Sequence, residues 1–399
     1  MTQFEISVVM PCLNEAGSIV KCIAWAKEGI AATGLSGEIV VSDNGSTDGS
    51  PELASAAGAR VVHEPRRGYG NAYRRGFDAA TGRIIVMGDS DGTYDFRLLA
   101  QLVEPISRGY DYVLGSRFTG EIQPGAMPWL HRYVGNPVLT RLLNLFYGYD
   151  TSDAHSGMRA FTREAYQRMA LSSEGMELAS EIVIKAARTN LEVTEVPIVY
   201  HRRDGTSKLH TFRDGWRHLR FLLLQCPNYL FLLPGVLMCL VGLLGQSVLL
   251  WTNLTLAGHQ VGLHTCALLA MMSLIGAQLL AFGVFAKIHA YLRGYEPSSA
   301  FHSWLVNDFT VERGLLGGLL VFGFGFALDA AIVIEWLAKD LGPLDRLRQA
   351  LLALSLMGIG VQILFTAFFL SLTVQAAELR PSPIGEVGDR DIETAGATQ

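Results

Sequence analysis

The sequence has little charge for its length and no cysteine motif. Charged residues make up 17% of the 399 positions, and the mean hydropathy is positive at +0.27. Such a chain is too apolar for an ordinary soluble enzyme, and neither half has the net positive charge of a nucleic-acid binder. The five cysteines form no CxxC pair, which disfavours a disulfide framework or a thiolate zinc site. The first ten residues lack the basic and apolar regions of a signal peptide, so we expect the first part of the chain in the cytosol.

Charge is also distributed unevenly along the chain. Residues 1–220 hold 24 Lys and Arg with 25 Asp and Glu, whereas residues 221–399 hold 8 and 12. From Phe221 to Ala286 there is no charged residue, and about 20 apolar residues are enough for a helix to cross a bilayer. We therefore predict a soluble domain followed by a four-helix membrane domain. The predicted spans lie near 229–251, 264–287, 314–336 and 349–376.

The predicted organisation has four parts. These are a cytosolic domain over 1–210, an amphipathic juxtamembrane helix over 211–226, the membrane domain over 227–378 and a disordered tail over 379–399. In the juxtamembrane segment, Arg213, Arg217 and Arg220 recur at helical spacing beside apolar side chains. This pattern suits a helix that lies in the headgroup layer; the alternative is a linker helix packed on the domain.

Basic residues predict the orientation of the chain in the membrane. They precede the first predicted span and bracket the loop between the second and third spans, while the loop after the first span has none. This distribution places the N-terminal domain in the cytosol, as part of a multi-pass protein of the cell membrane. Lys339, Arg346 and Arg348, between the third and fourth spans, count against that orientation.

Short apolar runs alternate with helical patterns over the first 200 residues. Strands are predicted at Ile6–Met10, Glu38–Ser42, Arg60–Val62, Arg83–Met87 and Tyr110–Gly115, and helices at about 16–33, 47–57, 69–80 and 96–107. Repeated alternation of strand and helix predicts an α/β domain whose mostly parallel sheet is covered on both faces. Ligands of such sheets bind beyond the carboxyl ends of the strands.

Three polar segments follow predicted strands at that edge. They are Pro11–Glu15, Asp43–Asp48 and Asp89–Asp91. The two aspartates of the last segment can share one divalent cation with a diphosphate, and hard oxygen ligands favour Mg²⁺ or Mn²⁺. The carboxylate of Asp43 can accept a hydrogen bond from a base N–H. Taken alone, each segment is also typical of a solvated turn or a helix cap.

The order of these motifs resembles a known family. PCLNE, DNGSTD and GDSDG, in that order, are similar to the family 2 glycosyltransferases of the Rossmann-like GT-A type. GSR at 115–117, DAHSGMR at 153–159 and RDGTSK at 203–208 resemble the polyprenyl-phosphate glycosyltransferases, the dolichol-phosphate mannose synthase-like group. The resemblance covers about 1–225. It implies a nucleotide-sugar donor and a polyprenyl phosphate acceptor.

The resemblance also implies roles for individual residues. Asp89 and Asp91 would bind the metal and, with Arg117, act in catalysis. The donor would be bound by Pro11, Leu13, Asn14, Glu15, Asp43 and Ser90. Apart from the resemblance, we expect Asp153, as a further catalytic residue, to lie near the sugar with Glu177 and Glu181, which share one helix face. The acceptor phosphate would be bound by Arg117, Arg132, Asn136, Arg202 or Arg203, and Lys208. Asn44 stands where the family often has a second Asp, which bears on the choice of base.

The residue types suit such a transfer. A lipid phosphate is largely a dianion at neutral pH and needs no general base, and the sequence shows no obvious Ser/His/Asp or Cys/His set. Two anionic substrates repel each other, so Arg and Lys are needed to position them. We expect direct displacement with inversion, in which the metal and the basic residues neutralise the departing nucleoside diphosphate. For Lys208, attraction to anionic lipid headgroups is an alternative.

The leading hypothesis is an enzyme that moves a hexose from UDP-glucose or GDP-mannose to undecaprenyl or dolichyl phosphate. A processive polysaccharide synthase shares the domain type, but the QxxRW motif is absent and the spans do not flank the domain on both sides. A non-catalytic membrane scaffold or lipid carrier is the third hypothesis, which the intact DSD segment disfavours. The donor, the polyprenol length and the oligomeric state stay open.

The third predicted span carries two further features. Five of its glycines favour close helix packing, within the chain or between subunits of a homo-oligomer; they are Gly314, Gly317, Gly318, Gly323 and Gly325. Asp329 lies in the same span, and an acid at that depth should face protein or water because it is expensive to expose to lipid.

Overall fold

The computed structural model describes residues 4–204, 211–252, 255–256, 259–260, 262–292, 295–296, 299, 304–305, 309–341 and 346–378. Lys208 and the predicted tail over 379–399 lie outside the described residues. The chain forms two compact units. The first unit comprises Met1–Tyr229 with Arg293–Pro297, and the second comprises Leu230–Leu292 with Ser298–Gln399. The assignment of Arg293–Pro297, a segment between two apolar helices, to the first unit was not predicted from the sequence.

The first unit alternates strands and helices, as the sequence predicts. Its strands are β1 Ile6–Cys12, β2 Gly37–Asp43, β3 Arg60–His63, β4 Ile84–Met87, β5 Tyr112–Ile122, β6 Arg159–Thr162 and β7 Val193–Tyr200. Its helices are α1 Ile19–Thr33, α2 Ser50–Ala56, α3 Tyr69–Ala79, α4 Leu99–Ser107, α5 Asn136–Tyr147, α6 Arg163–Met169, α7 Leu178–Arg188 and α8 Thr211–Leu224. The last two strands were not predicted from the sequence.

The seven strands form one sheet in the order β3-β2-β1-β4-β6-β5-β7. β1 pairs in parallel with β2 and β4, and β5 pairs in parallel with β7. β6 runs antiparallel to both of its neighbours. The predicted α/β class with a mostly parallel sheet is therefore confirmed, and the carboxyl ends of β1, β2 and β4 meet at one edge.

Two apolar layers hold this sheet. Val8 and Met10 of β1 are buried in a cluster that includes α1 and α4, while Val9 faces a second cluster that includes α3, α6 and α7. Successive side chains of a strand point to opposite faces, so a strand buried on both sides is apolar throughout. The sheet is rigid under the polar edge for this reason.

The second unit contains four long apolar helices. They are α9 Leu233–Trp251, α10 Leu263–Leu292, α11 Val311–Ala338 and α12 Leu347–Glu378, with the two short strands β8 Thr255–Leu256 and β9 His259–Gln260 after α9. The corresponding spans, the first of which begins at Asn228 before α9, are 24 to 29 residues long and have the hydropathy to cross a membrane. Four long apolar helices are thus present, with ends within five residues of the predicted span bounds.

Glycines allow these helices to approach closely in pairs. In α9, a Cβ at Gly242 would lie 2.5 Å from the backbone nitrogen of Ser273 in α10. A Cβ at Gly360 of α12 would lie 2.5 Å from the backbone nitrogen of Phe322 in α11. Of the five glycines predicted to mediate packing, Gly314, Gly318 and Gly325 face α12, whereas the other two have no atom within 4 Å of a built Cβ. Packing between subunits stays a prediction.

Two polar features lie inside the second unit. Gln246 donates to the Ser273 hydroxyl at 3.4 Å and accepts from the Ser355 hydroxyl at 3.2 Å, so one buried amide joins three helices. Such hydrogen bonds stabilise helix association in lipid. Asp329 is half-buried in α11, and no hydrogen bond or ion pair to it occurs in the part of the chain that the structure describes. Its predicted environment remains untested.

Adjacent glycines of α11 provide a matched test of this packing. Gly318→Leu should lower the free energy of unfolding by about 1–3 kcal/mol, because its Cβ would lie 2.8 Å from Leu364 and 2.9 Å from the Gly360 carbonyl. Gly317→Leu, one residue earlier, meets open space and should be tolerated. Thermal unfolding of the two variants in detergent compares them directly. Equal stability would contradict the α11–α12 interface, and a loss at Gly317 would indicate a neighbouring subunit.

Candidate active site

The segment after β4 is attached to the end of β1. The Ser90 hydroxyl donates to the Pro11 carbonyl at 2.6 Å, and the Ser18 hydroxyl donates to the Ser90 carbonyl at 2.7 Å. Ser90 is 2% exposed, so these two bonds are shielded from water. The DSD segment and the PCLNE segment are therefore joined at one edge of the sheet, as expected for segments that follow strands of a parallel sheet.

The loops after β1 and β2 are also joined to each other. The Asn14 backbone N–H donates to the Ser46 hydroxyl at 2.9 Å, and the Asn14 side-chain oxygen accepts from the Thr47 N–H at 2.8 Å. Asn14 has a positive φ of 54°, a conformation that Asn adopts more readily than most residues. The Glu15 N–H donates to the Ser50 hydroxyl at 2.9 Å. The expected donor-binding residues are thus brought together, although their donor role stays a prediction.

Asp43 ends β2 with an almost fully buried carboxylate. It accepts from the backbone N–H groups of Gly45 and Ser46 at 3.1 and 3.0 Å, and His63 Nδ1 lies 3.3 Å away. Burial raises the pKa of Asp43, but the hydrogen bonds from Ser46, Gly45 and His63 outweigh it and hold the pKa below its ordinary value. The group is a fixed anion, which suits an acceptor for a donor N–H.

Asn44, which departs from the family pattern, is a structural residue. Its side-chain amide donates to the Glu64 and Arg66 carbonyls at 2.9 and 2.8 Å, and its oxygen accepts from the Gly68 N–H at 2.8 Å. An Asp at this position could not donate to either carbonyl. The amide therefore fixes the loop between β3 and α3, and an effect on base choice would be indirect.

Asp89 is held by two phenols. The hydroxyls of Tyr69 and Tyr73 both donate to its Oδ1 at 2.9 Å. Burial, and then the negative charge of Asp91, raise the pKa of Asp89 to about 6. A cation beside it would favour the ionised form.

One oxygen of Asp91 is held in a similar way by hydrogen bonds, and the other is paired with an arginine side chain. Its Oδ1 accepts from the Thr93 N–H at 3.0 Å and the Thr93 hydroxyl at 2.5 Å, while its Oδ2 is paired with the Arg203 guanidinium. The Asp204 N–H donates to the Asp91 carbonyl at 3.1 Å, so the backbone after β7 lies against this segment. Asp91 and Arg203, predicted for metal and acceptor respectively, are brought into direct contact.

The pair of aspartates is suited to a divalent cation. In both, Oδ1 is occupied by neutral donors, and Oδ2 of one already binds a positive group. Among the described residues, no group of three or more His, Cys, Asp or Glu is placed to hold a metal ion. A site with two carboxylates leaves further positions to water and substrate oxygens, which is how Mg²⁺ is commonly bound.

Asp153 and Arg117 form a buried ion pair. Arg117 donates through its side chain to both oxygens of Asp153 at 2.7 Å, and its backbone N–H adds a bond of 3.1 Å. Asp153 is 0% exposed and Arg117 is 6% exposed. Asp153 therefore has a structural partner in place of the sugar that the sequence suggested, and its catalytic role remains untested.

Glu181 is likewise engaged inside the protein. It is 0% exposed, lies 3.0 Å from Lys185 Nζ, and accepts from the Ser173 N–H at 2.7 Å and the Tyr295 hydroxyl at 2.9 Å. Burial opposes ionisation, but Lys185 and the bonds from Ser173 hold the pKa of Glu181 below its ordinary value. Glu177 precedes α7 and has one buried oxygen with no hydrogen-bond partner among the described residues. Neither glutamate therefore presents an open oxygen in the structure, and their predicted contact with the sugar stays a prediction.

Four of the predicted acceptor residues lie in two places in the structure. Arg203 lies on Asp91, and Arg202 beside it is exposed. Arg132 and Asn136 lie at the start of α5, at a turn where Trp129 and Tyr133 are 68% and 59% exposed. An exposed aromatic pair beside a basic residue is typical of a membrane interface.

The far end of α5 contacts Tyr229, the last residue of the first unit before the apolar helices. The Leu145 carbonyl accepts from the Tyr229 hydroxyl at 3.4 Å, and the rings of Phe146 and Tyr229 are 5.0 Å apart. Helix α8 packs beside it through the buried Leu222, whose carbonyl accepts from the Tyr147 hydroxyl at 3.2 Å. The opposite face of α8 exposes its three arginines and Trp216. One face of this helix is thus packed on the domain, and its position in the headgroup layer stays a prediction.

Two family models match this chain. Glycosyl transferase family 2 matches residues 7–169, and the family 2 C-terminal transmembrane region matches residues 284–374. The low-salt glycan biosynthesis hexosyltransferase of Haloferax volcanii is 42% identical over 92% of this chain and 88% of that protein. The chain belongs to glycosyl transferase family 2.

Further relatives of this glycosyltransferase come from the same organism. A glycosyltransferase is 34% identical over 72% of the chain and 94% of that protein, and a dolichyl-phosphate hexose transferase is 34% identical over 54% of the chain and 92% of that protein.

Glucosyl-3-phosphoglycerate synthase from Mycobacterium tuberculosis, solved with Mn²⁺ and UDP-glucose, is 26% identical over 56% of the chain and 79% of that protein, with a TM-score of 0.45. The resemblance to the polyprenyl-phosphate group is confirmed, and the protein is a membrane glycosyltransferase.

Sequence reasoning missed several residues that build this glycosyltransferase site. Tyr69 and Tyr73 have a detectable signal, since a spacing of four places both on one face of α3. Arg159 ends the DAHSGMR motif, but its role was not predicted: it is 0% exposed and donates to the carbonyls of Ser156 and Ala154 in that motif and of Ala179 in α7. Glu195 accepts from Thr151 and Ser152 and so supports the same segment from β7.

The Arg117–Asp153 pair predicts a large effect on stability. Asp153→Asn should lower the free energy of unfolding of the glycosyltransferase by about 3–5 kcal/mol, because it leaves a buried guanidinium without its anion. This corresponds to a fall of about 6 °C or more in the unfolding temperature. Glu104→Gln removes a charge from an exposed pair with Arg108 and should shift it by less than about 2 °C. Tryptophan fluorescence during heating measures both; a stable Asp153→Asn protein would contradict the structural role.

Proposed function

We propose that this protein transfers a hexose from a nucleotide sugar to a polyprenyl phosphate at the cytosolic face of the membrane. The observation that carries the proposal is the carboxylate pair of Asp89 and Asp91: neutral donors fix Oδ1 of each, and Oδ2 of Asp91 is paired with Arg203. This arrangement lies at the carboxyl edge of the sheet, where nucleotides bind in α/β domains.

Asp89 and Asp91 would hold one Mg²⁺ or Mn²⁺ ion. Oxygen ligands with positions left to substrate suit either ion. When bound, the ion would supply a positive charge that stabilises the departing diphosphate. Arg203 supplies a second positive charge at the same place, since it already contacts Asp91. The pair thus gathers positive charge where negative charge develops.

The donor nucleotide would bind across the loops after β1 and β2. Asp43 is a buried, fixed anion at that edge and would accept from a base N–H. Pro11, Leu13, Asn14, Glu15 and Ser90 would complete this surface. Glu177 would accept from a sugar hydroxyl. Uracil and guanine both present an N–H, so UDP-glucose and GDP-mannose both remain candidates.

The acceptor would approach from the membrane surface. The exposed aromatic pair beside Arg132, and the contact of α5 with Tyr229, support a position of that helix in the headgroup layer. A lipid phosphate held there by Arg132, Asn136 and the basic residues after β7 would face the donor. The dolichyl-phosphate hexose transferase among the relatives supports this class of acceptor.

The proposed reaction is a single displacement at the anomeric carbon. A phosphate oxygen of the lipid forms the new bond to that carbon while the bond to the nucleoside diphosphate breaks, so the configuration inverts. The lipid phosphate is already ionised, and no residue has to remove a proton. Arg117, which is buried and paired with Asp153, would act on the acceptor only through the residues that this pair holds in place.

The cytosolic orientation has one structural support. The segment Arg293–Pro297 lies between α10 and α11 in the chain but belongs to the first unit. The chain therefore returns to the catalytic side after its second crossing, as four spans require. The basic residues of that loop then lie on the catalytic side, which the positive-inside rule identifies as cytosolic.

A donor screen tests the proposal. Full-length protein in detergent, Mg²⁺ or Mn²⁺ and a polyprenyl phosphate are mixed with each nucleotide sugar, and lipid products are identified by mass spectrometry. We expect a lipid with one hexose from one donor, reduced at least about 100-fold in Asp91→Ala because the diphosphate loses its cation. Glu104→Ala, on an exposed surface, serves as the control. Polymer would indicate a processive synthase, and the absence of both product and nucleotide release would indicate a scaffold.

A further inference from the structure

Two buried tyrosines converge on a single oxygen of the active-site carboxylates. The hydroxyls of Tyr69 and Tyr73 each lie 2.9 Å from Oδ1 of Asp89. No hydrogen bond to Oδ2 of the same side chain occurs within the described ranges of the chain. One oxygen therefore takes both donors, although two separate oxygens are available. If the charge of the carboxylate needed only to be balanced, donors on either oxygen would serve, and the two would not have to share Oδ1.

The two phenols can act only as donors toward this carboxylate. An ionised carboxylate has no hydrogen to donate, so each phenol must be the donor in its bond to Asp89. Their rings meet edge to face with centroids 4.9 Å apart. A spacing of four residues on α3 places both hydroxyls on the same side of the helix.

The start of α3 is itself fixed from outside. Gly68 has a φ of 147°, and a Cβ there would lie 2.2 Å from the Glu174 carbonyl. A Cβ at Gly70 would lie 2.2 Å from the Ser173 carbonyl, so only glycines allow this approach. The approaching segment is held by Glu181, which accepts from the Ser173 N–H at 2.7 Å. Neither phenol can withdraw without moving this packed segment.

Asp91 shows the same asymmetry with different donors. Its Oδ1 is occupied by the N–H and the hydroxyl of Thr93, and its Oδ2 carries Arg203. In both carboxylates, fixed neutral donors therefore occupy one oxygen. The other oxygen of Asp91 carries a positive group, and the other oxygen of Asp89 accepts no hydrogen bond from the described residues. Groups that orient a metal ligand in this way commonly change metal affinity by about 10-fold to 100-fold.

We infer that Tyr69 and Tyr73 are positioning residues that hold Oδ1 of Asp89 and thereby turn its Oδ2 toward the bound cation. The inference rests on the proposed metal site at Asp89 and Asp91. Neither tyrosine touches substrate or metal in this account. Each acts by limiting rotation of the carboxylate, so that the oxygen facing the cation is already oriented before the cation arrives.

Binding of Mn²⁺ to the full-length protein in detergent tests the inference. Free Mn²⁺ is measured by electron paramagnetic resonance in titrations with UDP present and, separately, with GDP present. We expect Tyr69→Phe and Tyr73→Phe each to weaken Mn²⁺ binding about 10-fold, because one donor to Oδ1 is lost and the ring is kept. Thermal unfolding of the same samples reports whether each variant is folded.

Two further variants define the comparison. Tyr166→Phe removes a phenol that donates to Asp78 at 2.6 Å on the exposed surface, so it makes the same chemical change away from the site. Its Mn²⁺ affinity should equal that of the wild type. Asp91→Asn removes a proposed ligand and should abolish the site.

The outcomes separate the two proposals. Wild-type affinity in both Tyr69→Phe and Tyr73→Phe, with loss in Asp91→Asn, would overturn the positioning role and leave the proposed function intact. If the wild-type protein binds no Mn²⁺, or if Asp91→Asn binds it as tightly as the wild type does, both proposals are overturned. A tenfold loss in the two active-site variants at unchanged unfolding temperature, and none in Tyr166→Phe, supports the inference.

Discussion

Two carboxylates lie two residues apart in a confined space at the carboxyl end of β4, and the rest of the site depends on how their charge is balanced. Asp91 is 2% exposed, and burial with mutual repulsion raises the pKa of Asp89 to about 6. Two phenols of α3, one threonine and one arginine contact the two carboxylates. Oδ1 of each is therefore fixed, and Asp91 already lies against a positive charge, which is what a transferase needs at a departing diphosphate.

A second layer of buried ion pairs supports this arrangement. Arg117 with Asp153 joins segments 36 residues apart, whereas Glu181 pairs with Lys185 within α7 and holds the preceding loop by accepting from the Ser173 N–H. Removal of one partner from such a pair is strongly destabilising, because the other charge stays buried. These residues have the types that substrate binding requires, yet their contacts are internal. Their influence on substrates would pass through the residues they hold.

The sequence predicted the fold well because its signals are local. Apolar runs followed by turns identified β1 to β4, and uncharged stretches identified the four long helices. The motifs placed Asp43, Asp89 and Asp91 at one edge of the sheet. Pairing between distant residues has no such signal: Asp153 contacts Arg117 across 36 positions, and Tyr295 contacts Glu181 across 114. For this reason the sequence predicted neither the partners of the buried charges nor the assignment of Arg293–Pro297 to the first unit.

The central claim is that Oδ2 of Asp89 and of Asp91 share one divalent cation, in a place that Arg203 partly fills in the structure described. A structure of the full-length protein with Mn²⁺ and a nucleoside diphosphate, using the anomalous signal of manganese, tests it most directly. The account predicts a manganese ion bound to both carboxylates, with Arg203 displaced from Asp91. A manganese ion elsewhere, with Arg203 still paired to Asp91, would contradict it.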